Sequence, residues 1–258
     1  MKKLYRLITL VILSVITSYS YLSYSIELKT AYQDSPPKFF LNKSGEMAGM
    51  GIDIMTAMNK ENPSINFKSV RGDSFLPSKR IQEYLEEGEL DIFFGYIKNK
   101  KRLKRFAFLD IPIYPLKHVV AVRAKDTVNV KTFDDIRKLG KKGIILSVNG
   151  GASRNYLNKQ GGLIIDAGGM THKGNLQKLI GNRGRFVYSH NLGLVALIKQ
   201  QSLQHKIKIL PASFRDYFHS VAISKELSKE TVKELNKTLN KLSNNGELSK
   251  ILRKYTEI

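Results

Sequence analysis

The clearest candidate for chemistry in this chain is Arg102, which lies in a basic turn directly after an apolar run, Leu90–Ile97. The run has the length and the β-branched and aromatic content of a buried strand. Ligands of open α/β sheets bind outside the carboxyl ends of the strands, so the Arg102 guanidinium lies where it could meet an anionic ligand. The alternative is a solvated basic turn, because other cations surround it. These are Lys98, Lys100, Lys101, Lys104 and Arg105.

Two more pairs of residues belong to the same edge of the predicted sheet. Gly95 and Tyr96 end the strand that precedes Arg102. The Tyr96 ring either stacks on a ligand, closing a cleft, or packs in the core. Tyr32 and Asp34 lie in the loop after the first strand. Asp34 is the more informative, since its carboxylate could meet a ligand ammonium, although a turn role beside two prolines is an alternative.

Strand and helix patterns alternate along nearly the whole chain, which favours an α/β fold. The apolar runs predict strands at 28–32, 66–70, 117–123, 143–148, 163–165, 184–189, 206–210 and 219–224. Helices are predicted at 49–60, after Pro77, after the capping box Thr132–Asp135, at about 173–180 and 191–201, and twice near the C-terminus. The first of the C-terminal helices carries Val232, Leu235, Leu239 and Leu242 on one face. These elements must position the candidate residues.

The first 25 residues have the order of a cleavable signal peptide: a basic start, a short apolar stretch and small residues before residue 26. The apolar stretch Leu7–Thr17 is much shorter than the about 20 residues that span a bilayer, so a membrane anchor is the weaker interpretation. The chain has no Cys, which excludes Cys nucleophiles and Cys metal sites. The sequence predicts a soluble, disulfide-free protein exported to a bacterial periplasm.

The chain is strongly basic, with 43 Lys and Arg against 22 Asp and Glu and a net charge of +21. Nucleic-acid binding is one interpretation, but export and the lack of a recognisable nucleic-acid motif argue against it. An anionic ligand or membrane partner is a second, and a solvated basic surface is the simplest. The five His are dispersed without the spacing of a zinc site, so no metal or other cofactor is predicted.

Several short motifs follow one another in a fixed order. They are Gly45-x3-Gly49-x3-Asp53, Gly88-x2-Asp91, Asn99-x2-Arg102, Phe108-x3-Pro112-x-Tyr114 and Gly246-x4-Ile251-x2-Lys254-Tyr255. Each motif is weak alone. Their order and spacing together resemble the periplasmic solute-binding proteins of the polar amino acid type, extracellular solute-binding family 3. The resemblance covers nearly the whole mature chain.

The resemblance implies an α/β, two-lobed periplasmic-binding-protein-like fold of type II, in which each lobe is a mixed sheet flanked by helices. Lobe one would comprise residues 26–122 plus 213–258, and lobe two residues 123–212, after a signal peptide at 1–25. Two hinge strands would join the lobes, crossing near Val122–Ala124 and Leu210–Arg215. The lobes would close around a bound ligand.

The resemblance also assigns roles to particular residues. The family's Arg of a T-x-x-R motif binds the ligand carboxylate, and Arg102 has that position; its planar fork matches a carboxylate bidentately. Ser153 and Arg154 follow two glycines in a segment that resembles a G-T-T turn, whose N–H groups bind anions, although an ordinary Gly turn is the alternative. The family's acid for an α-amino group is replaced by His190 and Asn191, which predicts an anionic rather than a cationic ligand.

The implied function is a periplasmic receptor that captures a small polar ligand, an amino acid or a related carboxylate, for an ABC transporter or a sensor. Its partners would be that ligand and an inner-membrane ABC permease, and the protein would be a monomer without affinity for nucleic acid. Two alternatives stand beside this function. One is a periplasmic enzyme similar to the cyclohexadienyl dehydratases on the same fold, and the other is a non-transport envelope or signalling protein.

Overall fold

The computed structural model describes residues 25–149, 152–166, 168–169 and 171–256. Its strands are β1 (Ile26–Thr30), β2 (Phe40–Leu41), β3 (Met47–Ala48), β4 (Ile65–Ser69), β5 (Ile92–Tyr96), β6 (Ala107–Arg123), β7 (Ile145–Leu146), β8 (Ile165–Asp166), β9 (Phe186–His190), β10 (Ile207–Ile209) and β11 (Arg215–Ile223). Its helices are α1 (Met50–Glu61), α2 (Ser78–Glu86), α3 (Lys100–Arg105), α4 (Phe133–Lys138), α5 (Ala152–Gln160), α6 (His172–Ile180), α7 (Asn191–Gln200), α8 (Lys229–Asn244) and α9 (Glu247–Thr256).

Seven strands form one sheet in the order β5-β11-β6-β9-β7-β8, with β10 also paired to β6. β6 pairs antiparallel with β9, β10 and β11, whereas β7 pairs parallel with β8 and β9. β1 and β4 form a separate parallel pair, and β2 and β3 form a short hairpin. The alternation of strands and helices therefore builds a mixed α/β structure, as predicted.

β6 has 17 residues, far more than the predicted strand 117–123. The sequence pattern gives no strand around Pro112 and Pro115, because proline lacks the N–H that a central strand donates. In the structure both prolines pair with residues of β11, and the register between the two strands shifts on either side of Ser220. These irregularities accommodate the prolines and let one long strand run through the middle of the sheet.

Three clusters of buried apolar side chains lie against the sheet. The first includes side chains from β1, α1, β5, α8 and α9; the second lies mainly between the sheet, α6 and α7; the third lies mainly between the sheet, α4 and α5. Along β6, side chains up to Leu116 belong to the first cluster, and those from Val119 onward belong to the second and third. This change of packing lies earlier in the chain than the crossing predicted near Val122–Ala124.

Local sequence signals account for some helix ends and faces. The predicted capping box is present: Thr132 Oγ1 accepts a hydrogen bond from Asp135 N at 3.2 Å, and Asp135 Oδ2 accepts one from Thr132 N at 3.0 Å. These bonds satisfy N–H groups that have no partner inside the helix. α8 buries Leu235, Leu239 and Leu242 on one face. Each buried leucine stabilises the fold by about 1.5–3 kcal/mol.

Two predicted features lie outside the described residues. One is nearly all of the signal peptide at 1–25, of which only residue 25 is described, and the other is the pair Gly150-Gly151 before α5. Within the described part of the chain, no helix is both long enough and apolar enough to cross a membrane.

Candidate functional site

Arg102 lies in the short helix α3 rather than in an irregular turn, and its side chain is held in place. Asn99 caps the helix, its Oδ1 accepting a hydrogen bond from Arg102 N at 3.0 Å. Arg102 Nη1 donates to Ile97 O at 3.0 Å, and Arg102 Cζ lies 4.2 Å from the centre of the Tyr96 ring. No other hydrogen bond of the guanidinium to a described residue occurs, so most of its donors are available to an anion.

Arg105, three positions along α3, has a different environment. Its Nε donates to Glu86 Oε2 at 2.6 Å, so its charge is paired with a carboxylate. Burial lowers the pKa of Arg102; Tyr96 raises this pKa and Arg105 lowers it, each to a smaller extent. Among the described residues, Arg102 forms no ion pair. Of the two arginines, Arg102 is therefore the one suited to a ligand.

Tyr96 lies beneath Arg102 and is a core residue. Its side chain is 3% exposed, and its ring packs against Phe93 and Phe106. Its hydroxyl lies 3.0 Å from both the Oγ and the carbonyl oxygen of Ser78, at the start of α2. Tyr96 therefore supports the guanidinium through a cation–π contact worth about 0.5–2 kcal/mol. The ring is thus packed in the core, and a contact of Tyr96 with a ligand stays a prediction.

Lys38 is a residue that the sequence analysis missed, although its side chain is almost fully buried, at 6% exposure. Its Nζ donates to Gln33 Oε1 at 3.0 Å and to Gly95 O at 3.4 Å, which are both uncharged acceptors. The ammonium also lies 4.8 Å from the centre of the Phe93 ring and 5.7 Å from that of Tyr96. Lysines are almost never fully buried unless paired, so this one is a candidate binding group.

Burial also sets the charge of Lys38. Burial, and to a smaller extent the charge of Arg102, lowers the pKa of the ammonium to about 7. Near neutral pH the side chain is therefore divided between its charged and neutral forms, and an anion beside it would favour the charged form. The sequence carries one weak sign of this residue: Lys38 stands between two prolines and two phenylalanines, in apolar surroundings.

Gly95 leaves the space through which Lys38 passes the end of β5. Its φ of 96° lies in a region that favours glycine. A Cβ at this position would overlap Lys38 Cδ, and would lie 2.9 Å from Tyr114 Oη and 3.3 Å from His219 Nδ1. Side chains from one loop and two other strands thus converge on this predicted binding position, so Gly95 contributes room and a carbonyl oxygen.

His118, in β6, is the centre of a second polar group. Its Nδ1 lies 2.9 Å from Tyr188 Oη, and its Nε2 lies 3.2 Å from Tyr217 Oη and 3.5 Å from Ser153 Oγ. Burial, and to a smaller extent Arg215, lowers the pKa of His118 to about 4, so the imidazole is neutral near pH 7. Ser153 is the predicted site residue that contacts this polar group, through its long contact with His118.

His190 and Asn191 lie where β9 ends and α7 begins. His190 Nδ1 accepts a hydrogen bond from Gly193 N at 3.0 Å, so the neutral ring carries its proton on Nε2. Burial is the main reason that the pKa of His190 is lowered to about 3, and neighbouring histidine and lysine side chains add to the effect. Asn191 Oδ1 accepts a hydrogen bond from Lys117 N at 3.1 Å. Asn191 is thus engaged with β6, whereas the Nε2–H of His190 has no hydrogen-bond partner among the described residues.

His219, in β11, lies between the two polar groups. Its Nδ1 is 2.9 Å from Tyr114 Oη, and its ring centre is 6.0 Å from that of Tyr217. Burial is the first reason that the pKa of His219 lies well below its usual range, and the charge of Lys38 is the next. His219 is therefore neutral near pH 7 and links the surroundings of Lys38 with those of His118.

We call Lys38, Arg102, His118, His190 and His219 the cation–histidine cluster. Each comes from a different element or loop of the fold. The charged or titratable neighbours that lower the pKa values of Lys38 and the three histidines are all Lys, Arg or His. No carboxylate of the described residues takes part, and in that part of the chain no three His, Asp or Glu side chains are grouped to hold a metal ion. The cluster is thus suited to an anion.

Three predicted residues lie outside the cluster. Tyr32 packs against Phe39 in the first apolar cluster, with ring centres 5.3 Å apart. Asp34 is exposed, and no described residue forms an ion pair or hydrogen bond with its carboxylate. Arg154 Nη1 donates to Asp166 O at 2.9 Å and is thereby engaged with β8. Ligand contacts by these three side chains stay predictions.

Comparison with solved structures identifies the fold. The chain matches an ancestral arginine-binding protein bound to arginine with a TM-score of 0.67, at 22% identity, over 90% of this chain and 98% of that one. It matches a histidine kinase sensor domain with similarity to periplasmic binding proteins with a TM-score of 0.66, at 18% identity, over 90% and 95% of the two chains. The predicted periplasmic-binding-protein fold is therefore confirmed.

A curated relative is more similar in sequence but over a shorter stretch. The L-cystine-binding protein TcyJ of Bacillus subtilis (strain 168) is 30% identical over 129 residues, which are 49% of this chain and 44% of that protein. The chain thus spans less than half the length of the curated relative that it matches.

The family model of the bacterial extracellular solute-binding proteins, family 3, matches residues 28–258. The match begins in β1 and includes every element of the structure after it. Proteins of this family bind solutes and are not enzymes, so the dehydratase-like alternative has no support. The chain belongs to the bacterial extracellular solute-binding proteins of family 3.

Proposed function

We propose that this protein is a periplasmic receptor that binds a small carboxylate between two lobes and delivers it to a membrane partner. The observation that supports this ligand class is the cation–histidine cluster, whose described neighbours contribute no carboxylate. Buried charges in proteins are normally paired. A bound anion would supply the counter-charge that the cluster lacks.

Arg102 is the group that we assign to the ligand carboxylate. The ring of Tyr96 and the carbonyl oxygen of Ile97 hold the guanidinium in one orientation, so little side-chain entropy is lost on binding. A charge-assisted, bidentate contact is stronger than a neutral hydrogen bond. On the other side, His190 Nε2–H is a neutral donor that orients the ligand without adding charge.

The ligand we favour is a carboxylate without an ammonium group. The relatives are named for cystine and arginine, which makes amino acids and related carboxylates the natural class to test. In the cluster, however, an ammonium group would meet Lys38, Arg102 and histidines instead of an acid. The carboxylate of Asp34 is exposed and is not among the groups that shift the pKa values of Lys38, His190 and His219.

The two lobes of this proposal meet along β6 and β11. The packing changes from one apolar cluster to another between Leu116 and Val119 on β6, and between Phe214, just before β11, and Tyr217 in β11. We place the hinge at these points, which on β6 is earlier than the boundary at residue 122. Both cations of the cluster then belong to lobe one and His190 to lobe two, so that closure surrounds the ligand.

Export to the periplasm and delivery to an ABC permease are parts of the same proposal. Membership of an extracellular solute-binding family and the signal-like order of residues 1–25 support export. A sensor is the alternative partner, since a sensor domain has the same fold. We expect a monomer in solution, because one chain contains both sides of the site.

A thermal-shift screen tests the ligand class. Mature protein, residues 26–258, is mixed with carboxylates, amino acids and polyamines in separate wells. A carboxylate at about a hundred times its Kd should raise the free energy of unfolding by about 2.7 kcal/mol, which is visible as a higher melting temperature. Stabilisation by polyamines or by lysine, with none by carboxylates, would contradict the proposal.

A further inference from the structure

Lys38 has no role in the carboxylate contact assigned to Arg102, yet its position is tightly defined. The side chain is 6% exposed, and its ammonium is hydrogen-bonded to the uncharged oxygens of Gln33 and Gly95. Its stem fills the space above Gly95, where a Cβ would overlap Lys38 Cδ. Two of the three ammonium donors are thus used by the protein, and one remains.

Lys38 and Arg102 are two cations on one aromatic ring. Arg102 Cζ lies 4.2 Å from the centre of Tyr96, and Lys38 Nζ lies 5.7 Å from the same point. Neither cation forms an ion pair with a described residue. A ligand with one carboxylate would balance one of these charges and leave the other buried and unpaired, which is unfavourable.

We propose, on the basis of the proposed function, that Lys38 and Arg102 form a two-cation site and that the ligand presents two carboxylates, as a short aliphatic dicarboxylate does. Each carboxylate then neutralises one cation. Lys38 determines specificity, because it distinguishes a dicarboxylate from a monocarboxylate of the same length. Arg102 contributes to the binding of both.

The surroundings of Lys38 make the second contact dependent on pH. The groups that face its ammonium are Gln33, the Gly95 carbonyl and the Phe39, Phe93 and Tyr96 rings, with Arg102, His190 and His219 nearby. The arginine stays charged and both histidines stay neutral around pH 7. Lys38 is therefore the group among them that titrates there, and a dicarboxylate binds with uptake of a proton.

The test is calorimetric titration with succinate and with butyrate, which have the same number of carbons and differ by one carboxylate. The wild type should bind succinate at least about tenfold more tightly than butyrate, as expected for one additional charged hydrogen bond. Lys38→Met should reduce this ratio to about threefold or less, because it should weaken the binding of succinate much more than that of butyrate. Lys98→Met, which removes the same charge from an exposed position nearby, should leave the ratio unchanged.

The wild type alone supplies a second measurement that does not depend on the folding of a variant. The succinate-to-butyrate ratio should fall as pH rises through about 7, because Lys38 loses its charge. A ratio that is unchanged over this range, or a Lys38→Met protein that keeps the preference for succinate, would overturn the two-cation site. Equal binding of both acids by the wild type would also overturn the two-cation site, but it would not contradict the proposed function as a receptor for carboxylates. If neither acid binds while a cationic ligand does, the proposed function fails as well.

Discussion

The two sides of the cation–histidine cluster bury polar groups in opposite ways. On one side Lys38 and Arg102 are cations that lie on aromatic rings and donate to uncharged oxygens. On the other side His118 and His190 are neutral, because burial lowers their pKa values to about 4 and about 3. Their nitrogens contact tyrosine hydroxyls and a backbone N–H.

The two sides therefore have different roles, because one attracts the anionic ligand and the other orients it. The cationic side provides the charge that attracts an anion and holds it by charge-assisted hydrogen bonds. The neutral side provides donors and acceptors that fix the position of the ligand. If the histidines were charged, closure of the proposed lobes would bring like charges together. Neutral histidines let the two sides approach without that repulsion.

The largest effect should come from removing the charge of Arg102. Arg102→Ala should weaken carboxylate binding by about 2–5 kcal/mol, since one partner of a desolvated ion pair is lost. Arg105→Ala is the matched control from the same helix, and it should have little effect because Arg105 is paired with Glu86. Calorimetric titration of both variants decides the matter. Equal small losses would mean that α3 is a solvated surface and that the site lies elsewhere.

Gly95→Ala disturbs the cationic side without removing a charge. The new Cβ would be strained at a φ of 96° and would overlap Lys38 Cδ. The free energy of unfolding, measured with urea, should fall by about 1–3 kcal/mol. Gly72→Ala is the control, because its φ is 53° and a Cβ there meets nothing within 4 Å. The same loss in both variants would show that contact with Lys38 adds nothing to the strain.

Acid should affect the neutral side first. The pKa of His190 is about 3 in the folded protein and about 6.5 in the unfolded chain, so the unfolded chain binds more protons between these values. Its contribution is complete above about pH 6.5 and is lost as pH falls toward 3. His190→Asn keeps a capping side chain and should reduce the acid sensitivity of the melting temperature. His205 is exposed, so His205→Asn is the control and should have the melting temperature of the wild type at each pH. If the melting temperature of His190→Asn also follows that of the wild type at each pH, this account of acid sensitivity is refuted.

The smallest effect is expected for Asp34→Asn. The Asp34 side chain is exposed and does not shift the pKa of Lys38 or Arg102, so carboxylate affinity should change by less than about 0.5 kcal/mol. Calorimetry with the same carboxylate measures this change. A strong loss of binding in Asp34→Asn would support the predicted role of this residue as the partner of a ligand ammonium. The site would then contain an acidic side chain as well as the two cations.

The sequence predicted those parts of the site that depend on local order. Arg102 was identifiable because it follows a strand and stands in a motif of fixed spacing, and both signals lie within a few residues of it. The capping box at Thr132–Asp135 and the apolar face of α8 are local in the same sense, and both are present. The structure added the contact between Arg102 and Tyr96, which explains how the guanidinium is held.

The rest of the site depends on contacts between distant parts of the chain. Lys38 reaches the carbonyl of Gly95, 57 positions away, and His219 meets Tyr114 across 105 positions. Apart from the apolar neighbours of Lys38, no local pattern marks either residue, since a lysine in a loop and a histidine in a strand are ordinary features. The long strand β6 was missed for a related reason, because its prolines become acceptable only through the irregular pairing with β11.

Tyr217 of β11 gives this protein an intrinsic fluorescence signal that depends on the proposed hinge. The chain contains no Trp, so tyrosine emission is not transferred to an indole. The Tyr217 hydroxyl lies 3.2 Å from Nε2 of His118, which is in the proposed hinge on β6. A movement of the hinge that lengthens this contact changes the quenching of that phenol. Ultraviolet fluorescence can therefore follow the opening and closing of the unlabelled receptor in real time.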